Sequence, residues 1–313
     1  DVALVECLLA VKEAFDSAPG RAGLACGFKN TGIGMGHPDT GRCDLLIRGD
    51  SVELRTGAAC VGQGLATILT QIACEVLGLE AERVEVALPD TSSTPDSGTS
   101  TASRQTLITG EACRRACVSA RTALAGTQGG SQERGFAFAS LAGRIFHGEF
   151  EAETDPFDSH KANPIRHVAY SYACHLAILG EDRRLSRLVA AHDSGLVVNP
   201  LAFQGQVEGG VAMGLGYALT EELTLADCAP TAKFGQLGLL RATDMPPIET
   251  IIVRSPGAGT AMDGGTAAVG FGAKGIGEIS AIPTAAAVAG AYAAVDGIYR
   301  KSLPLAGTPY RKG

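Results

Sequence analysis

The chain has no tryptophan and only 6 tyrosines and 10 phenylalanines in 313 residues. It also lacks an excess of positive charge: 26 lysines and arginines stand against 33 aspartates and glutamates, a formal net charge of −7. So few aromatic rings leave little for base-stacking surfaces, and the acidic balance, with no dense basic cluster, argues against a nucleic-acid partner. A membrane span is missing too. The most apolar stretch, Ala281 to Val295, is alanine-rich and too short to cross a bilayer.

Several chemistries are excluded by missing motifs. The 6 histidines are scattered, and neither His-x-x-x-His nor Cys-x-x-Cys occurs, so metal ligation by side chains finds no support. Iron–sulfur spacing is absent. There is no Gly-x-Ser-x-Gly elbow and no phosphate loop ending in Lys-Ser/Thr. Gly275-Ile276-Gly277 lacks the third glycine and downstream acid of a dinucleotide fingerprint, so a nicotinamide-dependent dehydrogenase would rest on glycine loops alone. The 9 cysteines run from Cys7 to Cys228 without framework spacing, and only Cys113 and Cys117 lie one helical turn apart. They read as small core hydrophobes in a reducing compartment, which makes the cytoplasm the expected location. No secretory signal is visible, and Asp1 to Ala14 reads as the middle of a helix; a processed subunit or a fragment of a longer polypeptide is expected.

What is present is glycine, 41 residues of it, with 45% hydrophobic residues and a length that fits about two domains. Arg42 to Arg48 and Ser51 to Arg55 read as a hairpin about Gly49-Asp50. A helix at Leu65 to Leu77, a strand at Val84 to Leu88 and a helix from Thr106 to Ala125 follow. Gly126 to Phe157 is rich in glycine, serine and charge and marks a boundary. Ala169 to Leu179 and Leu185 to Ala191 form a second hairpin, Gln206 to Thr220 a small-residue helix, Ile248 to Arg254 a strand, and Ile279 to Ala294 a last helix. The expected architecture is α+β: two α/β subdomains, 1–150 and 151–313, of mixed sheets packed with helices.

Three segments between elements have the character of a ligand cradle. Val61-Gly62-Gln63-Gly64 opens a helix, where free N–H groups bind anions; it also reads as a plain turn before a helix. Thr91 to Arg104 is dense in hydroxyls and suits a heteroatom-rich ligand, or is an ordinary solvated loop. The third, Gly270 to Glu278, runs Gly-Phe-Gly-Ala-Lys-Gly-Ile-Gly-Glu. Its glycines permit close backbone approach, and its terminal carboxylate is either a positioned general base or a charge that complements a helix dipole. Lys274, four residues earlier, is a ready ion-pair partner for Glu278, which would lower the carboxylate's pKa. His192-Asp193 reads as a structural pair at a strand end rather than a catalytic dyad.

In this order, Gly62-Gln63-Gly64, Asp90 to Ser103, His192 to Pro200, Gln206 to Leu219 and Lys274 to Glu278 resemble the C-terminal half of the molybdenum-binding subunit of the xanthine dehydrogenase/aldehyde oxidase family. The resemblance runs from about Arg21 to Pro309, and Leu303 to Lys312 looks most like the selenium-dependent xanthine dehydrogenase-like branch. It implies a molybdenum cofactor-binding fold holding molybdopterin, or its cytosine dinucleotide form, with molybdenum bearing oxo, sulfido or selenido, and hydroxide ligands. Glu278 would be the base that takes the proton of a water-derived Mo–OH as its oxygen enters a purine-like heterocycle or an aldehyde. Cofactor contacts would come from Val61, Gly62, Gln63, Ser100, Ala102, Ser103, Gln105, Lys274, Gly275 and Ile276. The family's glutamine before Gly-Leu-Gly appears here as Met213, which puts one cofactor-side hydrogen bond in question. The family's preceding domain, with a Gly-Gly-Gly-Phe-Gly loop and much of the substrate pocket, is not in this chain, nor are 2Fe-2S and FAD modules. Those would be partner domains or subunits, and the chain alone is expected not to turn over. The other reading is a non-catalytic binding module of the same fold without the metal cofactor.

Overall fold

A computed structural model describes residues 2–127, 138–254 and 269–310; residues 128–137 of the glycine-rich stretch and Arg311 and Lys312 of the closing segment lie outside these. Mixed sheets packed with helices form the fold, as expected.

The first sheet has the order β4-β3-β2-β5. β2 (Thr40–Arg48) and β3 (Ser51–Arg55) make the hairpin, with Gly49 at φ +70 in its turn. β4 (Val84–Val86) joins β3 in parallel and β5 (Ile145–Glu151) joins β2 antiparallel. Between β3 and β4 runs α2 (Leu65–Leu77), whose Leu65, Leu69, Ile72, Ala73 and Val76 recur at helical spacing and are buried. It stops at Gly78, which takes the left-handed cap at φ +66. α3 (Gln105–Thr127) lies against β2 and β5 through a stripe of Ala112, Cys113, Ala116, Cys117 and Ala120, all fully buried. Cys113 and Cys117 are thus small core residues.

The second sheet has the order β1-β6-β7-β10: β1 (Ala22–Thr31), β6 (Ala169–Leu179), β7 (Leu185–Asp193) and β10 (Ile248–Val253), the last parallel to β7. β6 and β7 are buried on both faces, which is why they read as unbroken apolar runs. α1 (Leu4–Asp16) covers one face with Cys7 and Val11 against Cys174, Leu176 and Val189. α4 (Pro200–Leu219) and α5 (Thr284–Asp296) cover the other with Val211, Leu215 and Val288 against Ala177, Leu188 and Ala190. Each such leucine or valine contributes about 1.5–3 kcal/mol on burial. At Gly23 the backbone of α5 comes so close that a Cβ would lie 2.0 Å from Ala291 N. A small ribbon, β8 (Leu225–Ala226) with β9 (Ala229–Pro230), sits outside both sheets.

Several features differ from what the sequence suggests; among them, β4 ends at Val86 rather than Leu88 and the β8–β9 ribbon was not expected. α4 starts at Pro200 rather than Gln206, because Asn199 caps it: the Asn199 side chain accepts from Ala202 N at 2.8 Å, with proline at the first helical position. α5 starts at Thr284, and residues 279–283 form turns before it. β1 and β5 were not anticipated, and β1 pairs with β6. Residues 4–31 therefore fold with the second sheet, across the division at 150.

Candidate active site

The three glycine- and hydroxyl-rich segments converge. They line one cleft of about 430 Å³, to which Val61, Gln63, Ser100, Ala102, Ser103, Gln105, Lys274, Gly275, Ile276 and Glu278 all contribute. Gly62 lies between two lining residues. α4 adds Gln206, which the sequence reading did not single out. Met213 is seven residues further on the same helix face, roughly 10 Å along the axis at 1.5 Å per residue. It is exposed and outside the lining.

The first segment is shaped by its glycines. Gly62 and Gly64 have φ of +109 and +81, and Gly64 begins α2 without a side-chain cap. The first amides of the helix therefore have no partner from the cap residue and make an end that favours negative charge. Their field is visible at the neighbouring exposed Cys60, whose thiol is held below its ordinary value chiefly by the Gly62 N–H, with Leu65, Gly64 and Ala66 adding. Gln63 braces the turn: its Oε1 accepts from Val61 N at 2.6 Å and its Nε2 donates to Ala59 O at 3.2 Å.

The second segment is held from beneath by Arg104. Its guanidinium is 1% exposed, pairs with the equally buried Asp39, and donates to Ser97 O (2.7 Å), Thr99 O (3.1 Å) and Thr40 O (2.7 Å). Gln105 donates to Thr99 O and Ser100 Oγ, both at 3.2 Å, and Ser100 Oγ donates to Ala59 O at 2.6 Å, which ties the first two segments together. Ala102 and Ser103 sit at φ +49 and +50, a left-handed conformation that costs free energy for residues with a side chain. Such strain at a cleft wall is a mark of a functional site, and here it turns Ser103 Oγ towards Glu278 Oε2, 2.8 Å away.

The third segment is pinned residue by residue. Gly275 N donates to Thr31 Oγ1 at 2.7 Å and Gly275 O accepts from Ser171 Oγ; both hydroxyls are fully buried, on β1 and β6. A Cβ at Gly275 would lie 2.5 Å from Ser103 Cβ. Upstream, buried Glu111 on α3 accepts from Gly270 N at 3.1 Å and from Arg114 and Arg115. Burial pushes its carboxyl up, but those donors outweigh burial and hold it below the usual value.

The charge partners are not those the sequence offered. Lys274 Nζ pairs with Asp193 Oδ2 at 2.7 Å and stands over the Tyr172 ring, and the cation beside Glu278 is Lys29 of β1, with Nζ 3.1 Å from Oε2. Sequence spacing favoured Lys274, but the chain turns between the two residues and the strand pairing brings Lys29 in from 249 positions away. His192 does not pair with Asp193: its Nε2 faces His175 Nε2 at 2.9 Å. Among the described residues, no group of three or more His, Cys, Asp and Glu side chains is placed to hold a metal.

A cofactor with its own metal ligands and an anionic group fits these walls. The start of α2, the side chains of Gln63, Ser100 and Gln105 and the chain at Lys274–Ile276 are what such a group would meet. Behind the cleft a smaller cavity of about 70 Å³ shares Gln63, Gln206, Lys274 and Ile276 with it and includes Ser194, whose buried Oγ has no partner among the described residues.

Comparison with known proteins agrees in character. A family model described as "Molybdopterin cofactor-binding domain" matches residues 10–246. The gamma subunit of the 6-hydroxypseudooxynicotine dehydrogenase complex of Paenarthrobacter nicotinovorans is 30% identical over 91% of this chain and 38% of its own length. The xanthine dehydrogenase molybdenum-binding subunit of Escherichia coli is 27% identical over 85% of this chain and 38% of its own length. The solved aldehyde oxidoreductase of Desulfovibrio desulfuricans superimposes with a TM-score of 0.76 at 25% identity, over 93% of this chain and 33% of that one. The chain thus spans about two fifths of the length of these curated relatives.

Proposed function

The chain belongs to the molybdopterin cofactor-binding family found in xanthine dehydrogenase- and aldehyde oxidoreductase-type molybdenum subunits, and on that footing we propose that its cleft is the cofactor-side half of a molybdenum hydroxylase active site with Glu278 as general base. The observation that carries this reading is the position of Glu278, where the second and third cradle segments meet and one carboxylate oxygen is held by Ser103.

When bound, the cofactor supplies the oxygen that enters the substrate and accepts the two electrons that leave it. The protein's share is to bind, orient and move a proton. Uncapped amides of α2 hold the anionic part of molybdopterin, as the free acid or its cytosine dinucleotide form. Gln63, Ser100, Gln105 and the backbone of Lys274, Gly275 and Ile276 shape its seat, and Ala102 and Ser103 form the wall nearest the base. Residues 1–150 bring the Gly-Gln-Gly and Ser/Thr segments and residues 151–313 the Lys-Gly-Ile-Gly-Glu segment, a division of cofactor contacts rather than of strands. Met213 reaches the cofactor only from beyond the cleft.

The substrate is a purine-like heterocycle or an aldehyde. The partner regions are a preceding molybdenum-subunit domain and 2Fe-2S and FAD domains or subunits; names such as "dehydrogenase complex subunit gamma" among the relatives support an assembly of this kind. The 9 unbridged cysteines support a cytoplasmic setting. In the cofactor-loaded assembly, Glu278→Gln should keep its molybdenum and lose hydroxylation by roughly 10²- to 10⁴-fold, the share of a positioned base. Undiminished turnover would remove Glu278 from that role.

A further inference from the structure

We propose that Lys29 is the positioning residue for Glu278: with Ser103 it holds Oε2 and leaves Oε1 as the oxygen that takes the proton. The proposal rests on the reading of Glu278 as the base.

Glu278 Oε2 accepts from Ser103 Oγ at 2.8 Å and is ion-paired with Lys29 Nζ at 3.1 Å. Oε1 has no hydrogen-bond partner among the described residues. The two oxygens are therefore unequal, one spent on holding the side chain and the other left for the proton. The Lys29 ammonium donates to Asn30 Oδ1 at 3.0 Å and Asn30 O at 3.2 Å while pairing electrostatically with Glu278 Oε2. Asn30 is itself oriented, because its Nδ2 donates to Gly32 O at 2.9 Å. The lysine is fixed at its head, and its side chain is only 23% exposed.

The strand that carries it matters as much. In β1, Lys29 stands opposite Ser171 of β6, and Thr31 lies two residues further on. Ser171 and Thr31 clamp the two backbone groups of Gly275, and Lys29 clamps the carboxylate three residues later. One strand pair thus fixes both the backbone of the catalytic segment and the side chain at its end. Lys274, in the same segment, is engaged by Asp193 and leaves this task to Lys29.

The test uses the full cofactor-loaded assembly and compares Lys29→Met, Lys29→Arg, Ser103→Ala and Glu278→Gln. Lys29→Met should lower kcat on the order of 100-fold, the cost of a misplaced reacting group. KM and molybdenum content should stay near wild type, since ground-state binding is untouched. Lys29→Arg, which restores a cation and donors, should recover most of kcat. A crystal structure of Lys29→Met should show the Glu278 carboxylate in more than one rotamer. If Lys29→Met keeps kcat and a single Glu278 rotamer while Glu278→Gln is dead, the proposal is overturned and the base reading stands. Loss of molybdenum from Lys29→Met overturns it as well, because Lys29 would then act on cofactor retention. If Glu278→Gln stays active the base reading has failed, and the rotamer of Glu278 in Lys29→Met alone decides whether Lys29 holds it.

Discussion

Lys274 Nζ lies 2.7 Å from Asp193 Oδ2, at the end of β7, and Asp193 is fully buried. This contact joins the third cradle segment to β7, one of the two central strands of the second sheet; Lys274 N adds a bond to Ser194 O at 2.8 Å and Gly195 N one to Asp193 Oδ1 at 3.1 Å. Lys274→Met would remove the cation paired with this buried carboxylate, at a cost of about 3–5 kcal/mol. Lys274→Met/Asp193→Leu, which removes both charges, should be more stable than Lys274→Met alone. Urea unfolding of both variants checks this.

Arg104 is the corresponding clamp for the Ser/Thr segment. With Asp39, the Ser97, Thr99 and Thr40 carbonyls all depend on one guanidinium. Arg104→Lys keeps the charge but not the planar fork of donors. We expect it to lose about 2–3 kcal/mol, the scale of unmade buried bonds to a charged group. Segment 97–103 should then become protease-sensitive, which limited proteolysis reads directly.

Gly275→Ala tests the close approach of the two cradle segments. The new methyl would lie 2.5 Å from Ser103 Cβ and 2.8 Å from Ser103 O, against a backbone already strained. Overpacking of this kind costs about 1–3 kcal/mol. Ser103 should be displaced from Glu278, so pterin retention and melting temperature should both fall.

Acid should weaken the fold through a buried histidine pair. His175 and His192 share one Nε2···Nε2 contact, and both are fully buried. Burial, with His192 nearby, pushes His175 well below its ordinary value, and burial pushes His192 down from 6.5 to about 3. The folded state therefore binds fewer protons than the unfolded one between these values. The stability is present in full above the unfolded pKa and is lost as pH falls towards the folded one. His192 should contribute a slope of about 1.4 kcal/mol per pH unit in that window, and His175 one of the same sign. Urea midpoints should fall below neutral pH, and fall less steeply in His192→Gln.

Most elements are legible because their periodicity is local. α2 follows its apolar spacing from Leu65 to Leu77, and the hairpin of β2 and β3 follows Gly49-Asp50. The start of α4 was also written, in Asn199-Pro200, but a run of small residues drew attention to its middle. β1 was illegible for a different reason. Gly23 and Gly27 sit where α5 and the turns before it press on the strand, so helix packing removed the side chains that mark a strand. The cleft residues were legible as separate weak segments. Lys29 and Glu111 were not, since each acts across more than 150 residues through pairing that no local pattern records. The choice of Lys274 as partner of Glu278 failed because a four-residue spacing means contact only within a helix.

The central claim is that these three segments seat a molybdopterin. Metal and pterin analysis of the folded chain, purified with the polypeptides that complete its assembly, tests it most directly. Molybdenum and pterin are expected in amounts equal to the chain, both diminished by Gly275→Ala. A folded, complete assembly that holds neither would contradict it.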